Sequence, residues 1–257
     1  MTDEISYPMG APCWVGTLQP DPHAAVAFYG GLFGWEFDAP TADGHHVARL
    51  GGRRVAGVGP APAWLDRGAW VTYVRVADLD ETTAIVEASG GHLLPDTGTV
   101  WPTALFTDPS GAAIGVCEGV APTFAEAVDV PGAWQMSALH TPDLAGGEVF
   151  YAKVFGWRLE AGPGTGRTLW RLPGSVRRAA DPTLPDDVVA VATGADPAAG
   201  VPPHWAVNMR VADTRALAER AVALGGTILM PPTDAPGFRN AVLADPGGAV
   251  LALSQIL

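Results

Sequence analysis

The chain predicts an α+β fold of tandem duplicated domains, and three observations carry that prediction. A unit of strand, helix-opening Asp, helix and closing Gly recurs four times, at Asp21, Asp78, Asp143 and Asp213. The two halves also repeat each other. FYGGLFGWEF from Phe28 returns as FYAKVFGWRL from Phe150, WVTYVRVAD from Trp70 as WAVNMRVAD from Trp205, and TDPSGAAIGV from Thr107 as ADPGGAVLAL from Ala244. Self-similarity at this period means duplication of a domain of about 120 residues. The length of 257 residues is enough for two such domains, each with its own core. The boundaries that follow are a first domain over 1–120, a linker over 121–132 and a second domain over 133–257. The widening offset between matched motifs places small insertions near 177–203.

The first helix opens at Asp21, whose carboxylate can accept an otherwise unpaired N–H, with Pro22 supplying a φ already suited to the first turn. Ala25, Phe28, Tyr29, Leu32 and Phe33 then fall on one face, and Gly34 ends it. Asp143 repeats the design with Phe150, Tyr151, Val154, Phe155 and Gly156. Asp78 with Glu81 has the spacing of a capping box, and its helix closes at Gly90-Gly91; the Asp213 helix closes at Gly225-Gly226. Strand character lies over 46–50, 54–58, 71–76, 104–107 and 113–117 in the first half. Each unit is therefore a strand, a helix and two or three further strands.

A formal charge of −12 with no basic run argues against nucleic-acid and anionic-membrane partners. The chain has no apolar stretch of about 18 residues, and MTDEISYPMG has neither the basic start nor the apolar core of a signal segment. A cytoplasmic protein without membrane contact is expected. Cys13 and Cys117 lack CxxC spacing, so buried free thiols are expected rather than a disulfide framework or a zinc cage.

With FYxxLFGW on an Asp-capped helix, hairpin strands and a closing TDPxG turn, all occurring in order and twice, the chain resembles the vicinal oxygen chelate superfamily of glyoxalases, bleomycin-resistance proteins and extradiol dioxygenases. FYGGLFGW, FYAKVFGW, TDPSG and ADPGG are most similar to its two-domain actinobacterial branch. The resemblance implies four βαβββ modules, each pair curling into a half-open sheet around a cup. It also implies a divalent metal held by a His or Gln seven residues before each helix-opening Asp and by a Glu seven residues after the Asp of DPxG. Those positions here are Trp14, Val71, Met136 and Ala206, then Gly115 and Ala252. None suits a hard or borderline cation. Glu118 is an odd number of residues from Asp108 and should face the other side of a strand. No metal and no cofactor are expected.

What fills these positions then becomes the functional signal. Trp14 and Met136, with Val71 and Ala206, make an apolar floor of the kind that takes flat organic molecules. Steps of two along the same strands add Tyr73, Cys117, His140 and Asn208, and His204 precedes the strand of Trp205. Trp35, Trp157, Trp70 and Trp205 are duplicated and are expected to be structural. Trp64, Trp101 and Trp170 have no counterpart in the other half and are the candidates for ligand stacking, with Trp101 preferred. His45 and His46 cannot both face inward from a strand. His23 should be exposed and His92 should lie in a loop. The Gly-rich 161–166 stretch lacks GK[ST] and is expected to be a loop. Arg53-Arg54 and Arg177-Arg178 are expected on surface hairpins.

The expected partner is a hydrophobic, aromatic small molecule, a natural product or antibiotic, bound for sequestration or carriage. The second cup, with Met136, His140, His204 and Asn208, has the richer polar set. An enzyme of secondary metabolism, cofactorless or with an atypical metal site, is the alternative, and a homodimer is left open.

Overall fold

A computed structural model describes residues 5–95, 101–119, 124–162, 168–175, 185–196, 198 and 200–257. The helices form where the caps place them. Asp21 Oδ1 accepts from Ala24 N at 3.0 Å, Asp78 Oδ1 from Glu81 N at 2.8 Å, Asp143 Oδ1 from Gly146 N at 2.8 Å and Asp213 Oδ1 from Arg215 N at 2.9 Å. These caps open α1 (Pro22–Phe33), α2 (Leu79–Ala88), α3 (Leu144–Phe155) and α4 (Thr214–Ala223). Gly34 and Gly156 close α1 and α3 in the left-handed region, with φ of 71° and 74°, where a side chain would be strained.

The first half runs β1 (Pro12–Gln19), α1, β2 (Glu36–Phe37), β3 (His46–Leu50), β4 (Arg53–Pro60), β5 (Ala69–Val76), α2, β6 (His92–Leu93), β7 (Thr103–Thr107) and β8 (Ala113–Glu118). The second runs β9 (Trp134–Thr141), α3, β10 (Arg158–Ala161), β11 (Thr168–Arg171), β12 (Val188–Gly194), β13 (His204–Arg210), α4, β14 (Thr227–Ala235), β15 (Phe238–Ala244) and β16 (Val250–Ile256). Two eight-stranded sheets result, ordered β2-β3-β4-β1-β5-β8-β7-β6 and β10-β11-β12-β9-β13-β16-β15-β14. This is the expected α+β repeat of four βαβββ modules. His92, expected in a loop, forms the short β6 by pairing with Thr107. Arg177-Arg178 and the greater part of the Gly-rich 161–166 stretch lie outside the described residues.

Two compact units divide the chain, and each takes one module from each half. One comprises Met1–Cys13, Thr72–Thr123 and Met136–Ala206; the other comprises Trp14–Val71, Phe124–Gln135 and Val207–Leu257. In the first unit α2 and α3 pack together over Val74, Phe106, Ile114, Phe150, Tyr151, Trp157, Trp170 and Trp205. In the second, α1 and α4 pack over Val15, Phe28, Tyr29, Trp35, Val58, Trp70, Val207, Leu243 and Leu251.

A reciprocal polar lock explains the two repeated motifs. Tyr29, from the FYxxLFGW segment of the first half, donates its hydroxyl to Asp245 Oδ2 in the second-half DPGG turn at 2.6 Å and accepts from Trp70 Nε1 at 2.9 Å. Tyr151 of the second half donates to Asp108 Oδ2 in the first-half DPSG turn at 2.9 Å and accepts from Trp205 Nε1 at 2.8 Å. All four Tyr and Asp residues are buried. Burial first, and the facing carboxylate second, pushes both tyrosines well above the usual phenol range, so each stays a donor. The other oxygen of each Asp serves its own turn, Asp108 Oδ1 accepting from Ser110 N and Asp245 Oδ1 from Ala249 N, both at 2.8 Å. The duplicated Trp35 and Trp157 are structural as well, each donating Nε1 at 2.7 Å to a carbonyl, of Gly132 and Gly10 respectively.

Candidate functional site

Strand alternation gives each module one face against its helix and one free of it. On β4 and β9, Ala56, Val58 and Leu139 join the helix-facing cores, which leaves Gly57, Gly59, Met136 and His140 on the helix-free faces. Met136 there meets Leu169, Val188 and Val191. The positions where the superfamily resemblance implies metal ligands thus carry Trp14, Val71, Met136, Ala206, Gly115 and Ala252, which offer no imidazole or carboxylate. Glu118 accepts from Leu79 N at 3.2 Å at the start of α2, the helix side of its sheet. Among the described residues no group of three His, Cys, Asp or Glu side chains is close enough to hold an ion. The donor set does not fit the family's metal.

In the first unit, His140 and His204 come together as the sequence allowed, their rings stacked at 4.8 Å and 8°. Burial, and then the neighbouring His204 ring, lowers His140 to a pKa of about 4, so it is neutral near pH 7. His204 Nδ1 is paired with the Pro202 carbonyl at 2.9 Å. Tyr73 lies along β8, where a Cβ on Gly115 would come within 2.5 Å of its ring; burial, then Cys117, raises its hydroxyl, which keeps its proton. Cys117 is half-buried, and its sulfur lies 3.2 Å from that of the buried Cys13. Trp101 is half-buried in the bend before β7. Trp170 is not available for a ligand. It is fully buried, 5.3 Å from Tyr151 and 5.9 Å from Trp157, because on β11 it points toward α3.

In the second unit, Asn208 stands on β13 between the core residues Val207 and Met209 and is in register with Ala252. Trp14 is buried with its Nε1 3.2 Å from where a Cβ of Gly57 would sit. The two adjacent histidines separate as alternation requires. His46 turns to the helix side, 5.8 Å from the exposed His23 and 6.4 Å from Phe37, while the Cδ2–Nε2 edge of His45 packs against Gly59.

Sequence reasoning missed two groupings. One is the thiol pair, whose members are 104 residues apart. The other is His45 with Asp43, whose Oδ2 lies 3.2 Å from His45 Nδ1 at ion-pair distance, though not in hydrogen-bond alignment. The signal was local: TADGH is a turn-forming run with a carboxylate two residues before an imidazole.

The architecture and the helix-free faces are those of the vicinal oxygen chelate fold. Residues 15–117 and 136–254 each match the Glyoxalase-like domain family, and the chain belongs to it. It is 32% identical to CFP32 of Mycobacterium tuberculosis, over 98% of this chain and 97% of that protein. It is 33% identical to the anthracycline biosynthesis protein DauV of Streptomyces sp. strain C5, over 96% and 94%. Among solved structures, a Mn(II)-bound glyoxalase from Novosphingobium aromaticivorans shares the fold with a TM-score of 0.60 at 21% identity, covering 96% of this chain and 82% of that one. The 2,3-dioxygenase LapB from Pseudomonas sp. KL28 does so with a TM-score of 0.58 at 14% identity, over 96% and 93%. Among the described residues no helix is long and apolar enough to cross a membrane.

Proposed function

We propose that this protein binds a planar, hydrophobic aromatic small molecule of secondary metabolism without a metal, as a sequestering or carrying protein. The observation that carries this reading is the replacement of imidazole and carboxylate by Trp14, Val71, Met136, Ala206, Gly115 and Ala252 at the family's ligand positions. An apolar floor with few polar groups favours flat organic ligands, because desolvating it costs little and the polar groups fix orientation. Tyr73, Trp101, Cys117, His140 and His204 in the first unit, and separately Asn208 in the second, supply that polar and aromatic minority; each is only partly buried. The relationship to DauV and to DnrV of Streptomyces peucetius, both named anthracycline biosynthesis proteins, supports the aromatic class, since anthracyclines are built on a hydroxyanthraquinone.

The test is an equilibrium titration of EDTA-treated protein with hydroxyanthraquinones, followed by ligand absorbance and Trp fluorescence. Saturable binding unchanged by EDTA is expected. Binding that appears only after Mn(II), Fe(II), Ni(II) or Zn(II) is restored overturns the metal-free mode.

A further inference from the structure

We infer that His45, positioned by Asp43, is a hydrogen-bond acceptor for an acidic hydroxyl of the ligand, which makes a phenol or enol the preferred class. This rests on the aromatic-ligand reading above and deepens it.

The histidine is held by a tight turn whose hub is Thr41. Thr41 Oγ1 donates to Asp43 and accepts from His45 N at 3.0 Å, and Thr41 N donates to the His45 carbonyl at 2.8 Å. Gly44 completes the turn with φ of 82°. The backbone of His45 and the carboxylate of Asp43 are therefore tied to one hydroxyl.

The ring is fixed from the other side by β4. Gly59 has no side chain where a Cβ would overlap the Cδ2–Nε2 edge of His45, and Gly57 does the same for Trp14 two residues away on the same face. The imidazole and the indole thus share one helix-free strip. This strip lies within a single compact unit.

The charge arrangement sets the tautomer. A carboxylate oxygen 3.2 Å from Nδ1 favours the proton on that nitrogen in the neutral ring. Nε2 is then the lone-pair nitrogen. No protein donor bonds to Nε2 among the described residues, and the side chain as a whole is 21% exposed. An acceptor beside an apolar surface selects a ligand that presents a donor at the edge of a flat ring. An acidic O–H is the strongest such donor, and an ether cannot replace it.

The test compares 2-hydroxyanthraquinone with 2-methoxyanthraquinone, below the pKa of the hydroxyl, by titration calorimetry. Neither compound can close an internal hydrogen bond to its own carbonyl, so the protein sees the free group. The wild-type protein should bind the hydroxy compound about tenfold more tightly. His45→Phe keeps an aromatic ring against Gly59 and removes the acceptor; it should bring the two affinities within about twofold of each other, with folding checked separately by far-UV circular dichroism. Gly59→Ala, which pushes the ring aside, should do the same. Asp43→Asn should weaken only the hydroxy compound, and Asp43→Glu should restore it, as a positioning role requires. Equal wild-type affinities, or a preference that survives His45→Phe, overturn this assignment and leave the aromatic-ligand reading standing. Absence of binding by either probe overturns both.

Discussion

The reciprocal Tyr–Asp lock makes a quantitative prediction, because its two copies are not equivalent. Tyr151→Phe removes the one hydroxyl that, among the described residues, donates to Asp108 Oδ2, and with it the acceptor of Trp205 Nε1. Losing a hydrogen bond to a charged acceptor costs about 1.5–3 kcal/mol, and an orphaned buried donor about 1–3 kcal/mol, so the variant should lose about 3–5 kcal/mol. Tyr29→Phe also orphans an indole, that of Trp70, but Asp245 Oδ2 keeps a second donor, Gln19 Nε2 at 2.6 Å. Its loss should be nearer about 2–3 kcal/mol. Urea unfolding followed by Trp fluorescence and far-UV circular dichroism measures both through the midpoint at constant slope. The Gln19→Ala/Tyr29→Phe double variant should then approach the Tyr151→Phe value. If Tyr151→Phe costs less than Tyr29→Phe, or less than about 1 kcal/mol, the lock does not carry the load assigned to it.

Three other outcomes follow from the same geometry. His140 has its pKa lowered in the folded state to about 4 against an ordinary value near 6.5, so the unfolded chain takes the proton first and stability falls as pH drops from about 6.5 to 4, by up to about 3 kcal/mol. His140→Gln should flatten that acid limb in urea titrations at several pH values; an unchanged limb refutes the assignment. Burial first, and then Cys117, holds the Cys13 thiol in its protonated form, so N-ethylmaleimide should label the half-buried Cys117 in the native protein and Cys13 only on unfolding. Peptide mass spectrometry that found equal rates would contradict the burial described. Trp157→Phe should cost more than the loss of about 1 kcal/mol expected from deleting the bond to the Gly10 carbonyl, because the smaller ring also leaves a void in a fully buried site, as read by the shift in urea midpoint.

The architecture was legible because it is written in local signals that recur. Each helix-opening Asp caps its helix, and Gly34 and Gly156 stop α1 and α3. The role of Tyr29 and Asp245 was not legible, since nothing in spacing links residues 216 positions apart; the repeat showed that both motifs matter but not that each half completes the other. Part of the candidate site was accessible through period-two stepping, which placed Met136 and His140 on one face and separated His45 from His46. Trp170 was misjudged because lack of a counterpart in the other half says nothing about which face of a strand a side chain occupies. The Cys13 and Cys117 sulfurs and the His45–Asp43 pair needed coordinates, because chain folding and a turn bring them together.

The exchange of partners between Tyr29 and Asp245, and between Tyr151 and Asp108, also bears on ancestry. A single repeat carries both a phenol and a turn carboxylate, yet in this chain it satisfies neither from within. An unduplicated progenitor with the same motifs would have been self-complementary, with each copy lending its turn to the helix of a twin in an isologous pair. Joining two such copies in one chain would convert a concentration-dependent association into an internal one, in which the two repeats are free to differ.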